Sequence, residues 1–219
     1  MAGFAVIAVG TTGFLPEAGD RIVEVATVHL DPAGDAESCW DTLVNPGRGV
    51  GPSSIHGLTD ADVVEAPTFP EVAGTVVAGL AGRVFTAHNP SLDRRFLLAE
   101  FELAGWNVPL ASVATLSTMA ESRAMWPGAP RRLSALCHMR GFAVHGGRTA
   151  LGNALAVAQV VRHLLRAAST RAHGVASLPW DSHLAEAARQ PWPNIPIEAC
   201  PRISRGEHLD LDTPVPAAV

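Results

Sequence analysis

The hydrophobic pattern opens with a continuous apolar run at residues 4–9 (FAVIAV), the signature of a central strand buried on both faces. A turn at residues 11–14 (TTGF) leads to Ile22–Leu30, which is β-branched and alternating and predicts a second strand. Asp31-Pro32-Ala33-Gly34 turns the chain back, and residues 39–44 (CWDTLV) predict the third strand of an antiparallel meander. The stretch 45–63 holds too many Gly and Pro residues for a regular element. Thr68 with Glu71 three residues on forms a capping box opening a helix over Phe69–Leu80. Gly82 ends that helix, and residues 84–87 (VFTA) predict a short strand. Ser91 is the expected cap of the next helix, which stops at Gly105. One more strand is expected at 113–116, and helices around 117–126, 133–140 and 150–168. The last of these carries Leu155, Val157, Val160, Val161, Leu164 and Leu165 on its apolar face.

Strands and helices alternating in this way predict a three-layer α/β domain with a mixed sheet of about five strands. Residues 1–170 form the expected domain and 171–219 an extension. Seven of the 17 prolines (Pro179, Pro191, Pro193, Pro196, Pro201, Pro214, Pro216) fall in that extension, with Trp180 and Trp192 among them. Three readings of it stay open: a tail laid over the surface with its tryptophans in grooves, a docking peptide for a protein partner, or a fold-back over a pocket.

Composition narrows the classes. Of the 219 residues, 47% are hydrophobic and 17% charged, enough for a sizeable core and against disorder. A net charge of −5 supplies no global field to gather nucleic acid, so any such contact has to be a local patch. Cys39, Cys137 and Cys200 are far apart with no Cys-x-x-Cys pair, as expected for reduced structural thiols in the cytoplasm. The first apolar run is too short for a signal peptide or a membrane span. Tyrosine is absent, which excludes phenol chemistry, and no P-loop, GxGxxG, GxSxG or zinc pattern occurs.

Six segments in register resemble the DnaQ-like (DEDDh) 3′–5′ exonucleases: TTGF with RIVEVATV, the loop containing IHGLT, APTFPEV, TAHNPSLDRRFL, RRLSALCHMRGF and RTALGNALAVAQVV. The resemblance covers roughly residues 4–165 and implies an RNase H-like fold. It also implies two Mg or Mn ions held by four carboxylates, with a histidine as general base. One metal helps generate hydroxide and both stabilise the in-line phosphoryl transition state, which is why several anionic oxygens are needed.

At the matching positions this chain has Ala8 and Gly10 for the first two carboxylates, Asp93 for the third, Arg148 for the histidine and Asn153 for the last carboxylate. Only Asp93 is retained. Arg148 cannot act as a base, because guanidinium stays protonated and offers no acceptor. One carboxylate cannot hold two metal ions against water, so the expectation is no bound metal and no exonuclease activity. Over the five positions, the formal charge implied by the family is −4, whereas here Asp93 and Arg148 give −1 + 1 = 0.

A nucleotide, a single-stranded nucleic acid or another phosphate-bearing ligand could then enter without metals, held partly by Arg148, with Thr11, His56, His88 and Asn89 as further candidates. Arg94, Arg131 and Arg132 could add positive rim charge. The blander reading has Arg148 pair with Asp93 and plug the site. His56, His88 and His145 with Asp93 could instead form a single-metal or acid/base site, against a reading in which His88 and Asn89 merely hold their loop. Glu24 is expected to be structural, and Glu100 to lie on a solvated helix face. Two alternatives remain beside a non-catalytic binding module. One is an enzyme recruited for metal-independent chemistry on a small molecule, and the other an active exonuclease with unorthodox ligands.

Overall fold

Five strands form one mixed sheet in the order β3-β2-β1-β4-β5. They are β1 (Phe4–Thr11), β2 (Ile22–Leu30), β3 (Ala36–Leu43), β4 (Val84–Ala87) and β5 (Thr115–Ser117). Strands β1, β2 and β3 make an antiparallel meander, while β4 and β5 add in parallel to β1. The computed structural model describes residues 2–51, 56–143, 148–171 and 180–205. Within them are seven α-helices: α1 (Asp60–Val63), α2 (Phe69–Leu80), α3 (Pro90–Leu103), α4 (Thr118–Met125), α5 (Leu133–Arg140), α6 (Ala150–Arg171) and α7 (Asp181–Arg189).

The alternation of β1 divides the core between the two faces of the sheet. Phe4, Val6 and Ala8 pack with Ala26, Val28 and Leu30 of β2 against α6. Ala5 and Ile7 pack on the other side with Val72 and Val76 of α2 and Phe96, Leu97 and Phe101 of α3. The layers are thus helix, sheet, helix, as the alternating pattern predicts. Phe69 and Phe101 meet edge to face at 5.0 Å, tying α2 to α3.

Several local details differ from expectation. Helix α3 starts two residues earlier, with Asn89 rather than Ser91 at the cap position and Pro90 in the first turn, where a missing N–H costs nothing. The Gly-rich loop contains the short α1, because Thr59 and Asp62 form a capping box as Thr68 and Glu71 do for α2. Strand β3 begins before the apolar stretch, at Ala36, since pairing with β2 carries its exposed, polar half.

The described part of the extension packs onto the domain. Trp180 is buried in the cluster beneath α6, and α7 follows it. Residues 190–205 then run extended across the opposite side, with Trp192, Ile195 and Cys200 against the α2–α3 cluster. The backbone of α2 at Gly74 lies so close to the Pro196 carbonyl that a Cβ there would overlap it. Further on, Leu43 of β3 donates its N–H to the Ile203 carbonyl at 2.7 Å.

Candidate functional site

The second half of β1 outruns β4, which pairs only with Phe4, Ala5 and Val6. Backbone N–H groups alternate in direction along a strand, so the Val9 N–H on that side has no strand to meet. Asp93, in the first turn of α3, accepts it through Oδ1 at 3.2 Å. Asp93 is half-buried as a residue, but its carboxyl group is enclosed by protein, and this burial pushes its pKa up to about 7. The Val9 N–H and its own backbone N–H pull the other way without cancelling the desolvation. Near neutral pH, a large share of Asp93 is therefore protonated. No arginine figures among the groups that set its titration, which gives no support to an Arg148–Asp93 plug.

Ala8 and Gly10 present no donor to the same neighbourhood. Ala8 packs in the cluster with Ala150, Leu151 and Ala154 of α6. Gly10 lies opposite Glu24 in the β1–β2 register and so shares its face. A Cβ at Gly10 would approach the Glu24 Cβ to 3.2 Å and Oε2 to 3.5 Å. Space that a side chain at position 10 would need is partly taken by Glu24.

Glu24 is 1% exposed and fully engaged. Its Oε2 accepts the Ala150 N–H at 3.0 Å, capping the N-terminus of α6. Arg205, from the extension, donates to it from Nη2 at 2.7 Å and from Nε at 3.3 Å. The same guanidinium donates to the carbonyls of His56 at 2.8 Å and Arg148 at 3.5 Å.

The histidine candidates act as braces. His56 is buried; its Nδ1 accepts the Leu58 N–H, so Nε2 carries the proton and donates to the Val50 carbonyl at 2.9 Å. His88 donates from Nε2 to the Arg131 carbonyl at 2.7 Å and accepts the Thr118 hydroxyl at Nδ1. Burial lowers its pKa, keeping it neutral. His145 lies outside the described residues. The Thr11 hydroxyl donates to the Gly13 carbonyl inside the turn. Asn89 is exposed and makes no side-chain cap bond. Asn153, in the first turn of α6, is exposed, as are Arg148, Arg131 and Arg132, while Arg94 is half-buried. Among the described residues, no group of three or more His, Cys, Asp or Glu converges to hold a metal ion.

Two residues carry more than the sequence indicates. Glu100 is 2% exposed rather than solvated. It accepts both Arg21 Nε and Nη2 (2.8 and 2.7 Å) and the Ile22 N–H at 2.9 Å, fastening α3 to the start of β2. No periodicity announces this, because its burial depends on Arg21 arriving from another element. Arg205 belongs to a segment with no motif at all. Phe14 and Leu15, which follow the turn after β1, are 64% and 53% exposed, and Arg95 of α3 fixes that turn by donating to the Phe14 carbonyl.

The sheet order and the helices on both faces, with β1 and the start of α3 meeting at Val9 and Asp93, define an RNase H-like fold of the exonuclease type. The chain matches the RNase_T exonuclease family over residues 9–160 and belongs to it. It is 35% identical over 175 residues to a DNA polymerase III subunit epsilon-like protein of Rhodobacter capsulatus, covering 77% of this chain and 24% of that protein. It is 35% identical over 145 residues to DNA polymerase III subunit epsilon of Treponema pallidum, covering 64% and 66%. The chain thus spans about a quarter to two thirds of the length of these curated relatives. Among solved structures, exonuclease X in complex with 5′ overhanging duplex DNA superposes with a TM-score of 0.56 at 25% identity, covering 77% of this chain and 93% of that one. Escherichia coli exonuclease I in complex with a dT13 oligonucleotide gives a TM-score of 0.69 at 13% identity, covering 78% and 42%, and shares the fold. No described helix is long and apolar enough to cross a membrane.

Proposed function

We propose that this chain is an exonuclease-family protein that has lost two-metal phosphodiester hydrolysis and uses the same pocket to bind a nucleotide or single-stranded nucleic acid without metal. The donor set carries this reading. Ala8 and Gly10 offer no side-chain oxygen, and Asn153 offers none that is charged. Asp93 spends an oxygen on Val9 and holds its proton into the neutral range. Glu24, a carboxylate on the Gly10 face, is saturated by Arg205 and by the N-terminus of α6. Hard divalent cations need several anionic oxygens at one point, and these residues do not fit such a centre. Arg148, at the position of the family's histidine, cannot act as a general base, since it is a permanent cation.

What remains favours an anion. A pocket with no net carboxylate charge no longer repels phosphate, Arg148 is exposed with its carbonyl on Arg205, and Phe14 with Leu15 offers an exposed apolar surface on which a base can lie. The partner nucleic acids of the solved relatives support this ligand class by analogy. The test has two arms. A labelled single-stranded oligonucleotide incubated with Mg²⁺ or Mn²⁺ should stay intact, and metal-dependent shortening above a no-enzyme control would overturn the loss of chemistry. Isothermal titration with mononucleotides and short oligonucleotides in EDTA should show binding weakened in Arg148→Ala. No binding, or binding unchanged in that variant, would overturn the ligand assignment.

A further inference from the structure

Four oxygens converge on the Arg205 guanidinium. Two belong to Glu24 on β2, one is the His56 carbonyl in the loop before α1, and one is the Arg148 carbonyl just before α6. A simple ion pair needs only the carboxylate. Here, two backbone carbonyls from separate segments also turn towards the cation and satisfy further N–H groups of its planar fork. Gly57, next to His56, has φ +76° and lies beside the guanidinium, its empty Cβ position 3.8 Å from Arg205 Nη1. The carboxylate is 1% exposed and the arginine side chain 20% exposed. Water therefore does little of the neutralising, and the cation must do it.

We propose that these oxygens form a guanidinium-binding site whose resident occupant is Arg205, through which the C-terminal segment closes the floor of the pocket. The residues just before it act as its anchor. Arg202 and Ser204 both bond the Asp41 carboxylate, at 2.5 Å each, and that carboxylate is buried. Between them, Ile203 pairs with the edge of β3, its N–H on the Thr42 hydroxyl and its carbonyl on the Leu43 N–H. Residues 202–205 thus deliver Arg205 to the cage in a fixed position. A tethered organic cation then serves on the face of Gly10 and Glu24, and it stitches the IHGLT loop to the start of α6. This proposal stands apart from any nucleotide ligand, and its test uses none.

The experiment is chemical rescue in the full chain. Arg205→Ala should lower the Tm by about 6–20 °C, the range for unpairing a buried carboxylate in a chain of this size. Millimolar methylguanidinium should recover at least half of that fall, saturably, whereas equimolar sodium chloride should not. The double variant Arg205→Ala/Glu24→Gln should show no rescue. A Tm within about 2 °C of wild type for Arg205→Ala, or recovery by salt equal to that by methylguanidinium, overturns the proposal. Should Arg205→Ala fail to fold alone, recovery of folded protein only with methylguanidinium supports it. Failure under both conditions moves the decision to Arg205→Lys, which keeps charge but not the fork. Faster hydrogen exchange at residues 56–58 and 148–150 in that variant supports the cage, and unchanged exchange overturns it.

Discussion

Replacing Asp93 by asparagine should stabilise the protein at neutral pH and leave it unchanged in acid. The folded pKa is about 7 against an ordinary 3.8, with burial as the main cause. A raised folded pKa means that the native state holds the proton more tightly than the unfolded chain does. The contribution of Asp93 to stability is therefore complete below pH 3.8. It falls as pH rises from 3.8 to about 7, and above that it is lost in full. At about 1.36 kcal/mol per pKa unit, the interval corresponds to about 4 kcal/mol; partial exposure of the residue lowers the expected value to about 2–3 kcal/mol. The asparagine amide would keep a carbonyl for the Val9 N–H and has no proton to lose. Urea denaturation of both forms from about pH 4 to about pH 8 measures the difference directly. The two curves should meet at the acid end and part by about 2–3 kcal/mol at the neutral end, with the Asp93→Asn variant the more stable. A constant difference across the range, or a variant less stable than wild type at the neutral end, would refute the reasoning. It would mean that Asp93 is charged and supported in the native state.

Two further outcomes follow from the packing. Arg21→Ala leaves the Glu100 carboxylate buried with only the Ile22 N–H and should cost about 3 kcal/mol by thermal or chemical denaturation. Replacing both partners by methionine should cost clearly less, and equal losses would show that charge burial is not the cause. Gly74→Ala places a Cβ on the Pro196 carbonyl and should cost about 1–3 kcal/mol. Faster exchange of the Leu43 amide, which bonds Ile203, is expected with it; unaltered exchange would show that the segment bends away without undocking.

Much of the architecture is legible in the chain because its signals are local. The unbroken apolar run of β1 sets a central strand, and Ile22–Leu30 and Phe69–Leu80 coincide with their predicted ends. The Thr68–Glu71 capping box is visible at three-residue spacing and present in the structure. What the sequence hides is non-local. Glu100 reads as a surface residue until Arg21, 79 positions earlier, is brought to it. The role of Glu24 depends on Arg205, 181 positions later. Helix α7 is obscured by the prolines on either side, and it is held by Trp180 and Ala187 in the core. The state of Asp93 likewise follows from what encloses it, which no neighbouring residue announces.

The pairing of Arg205 with Glu24 also fixes an order of events during synthesis. Every other part of the cage, from β2 to the start of α6, lies within the first 150 residues, yet the cation that neutralises it arrives 181 positions after the carboxylate. A chain emerging at about 5–20 residues per second spends about 10–35 s with Glu24 made and its partner still absent. During that interval, the sheet can assemble, but the floor of the pocket carries an unmatched negative charge. Closure of the loop between them is entropically the most demanding contact in the site, and loop closure grows costlier with length. The cage around Glu24 is therefore completed only once the C-terminal segment has been made.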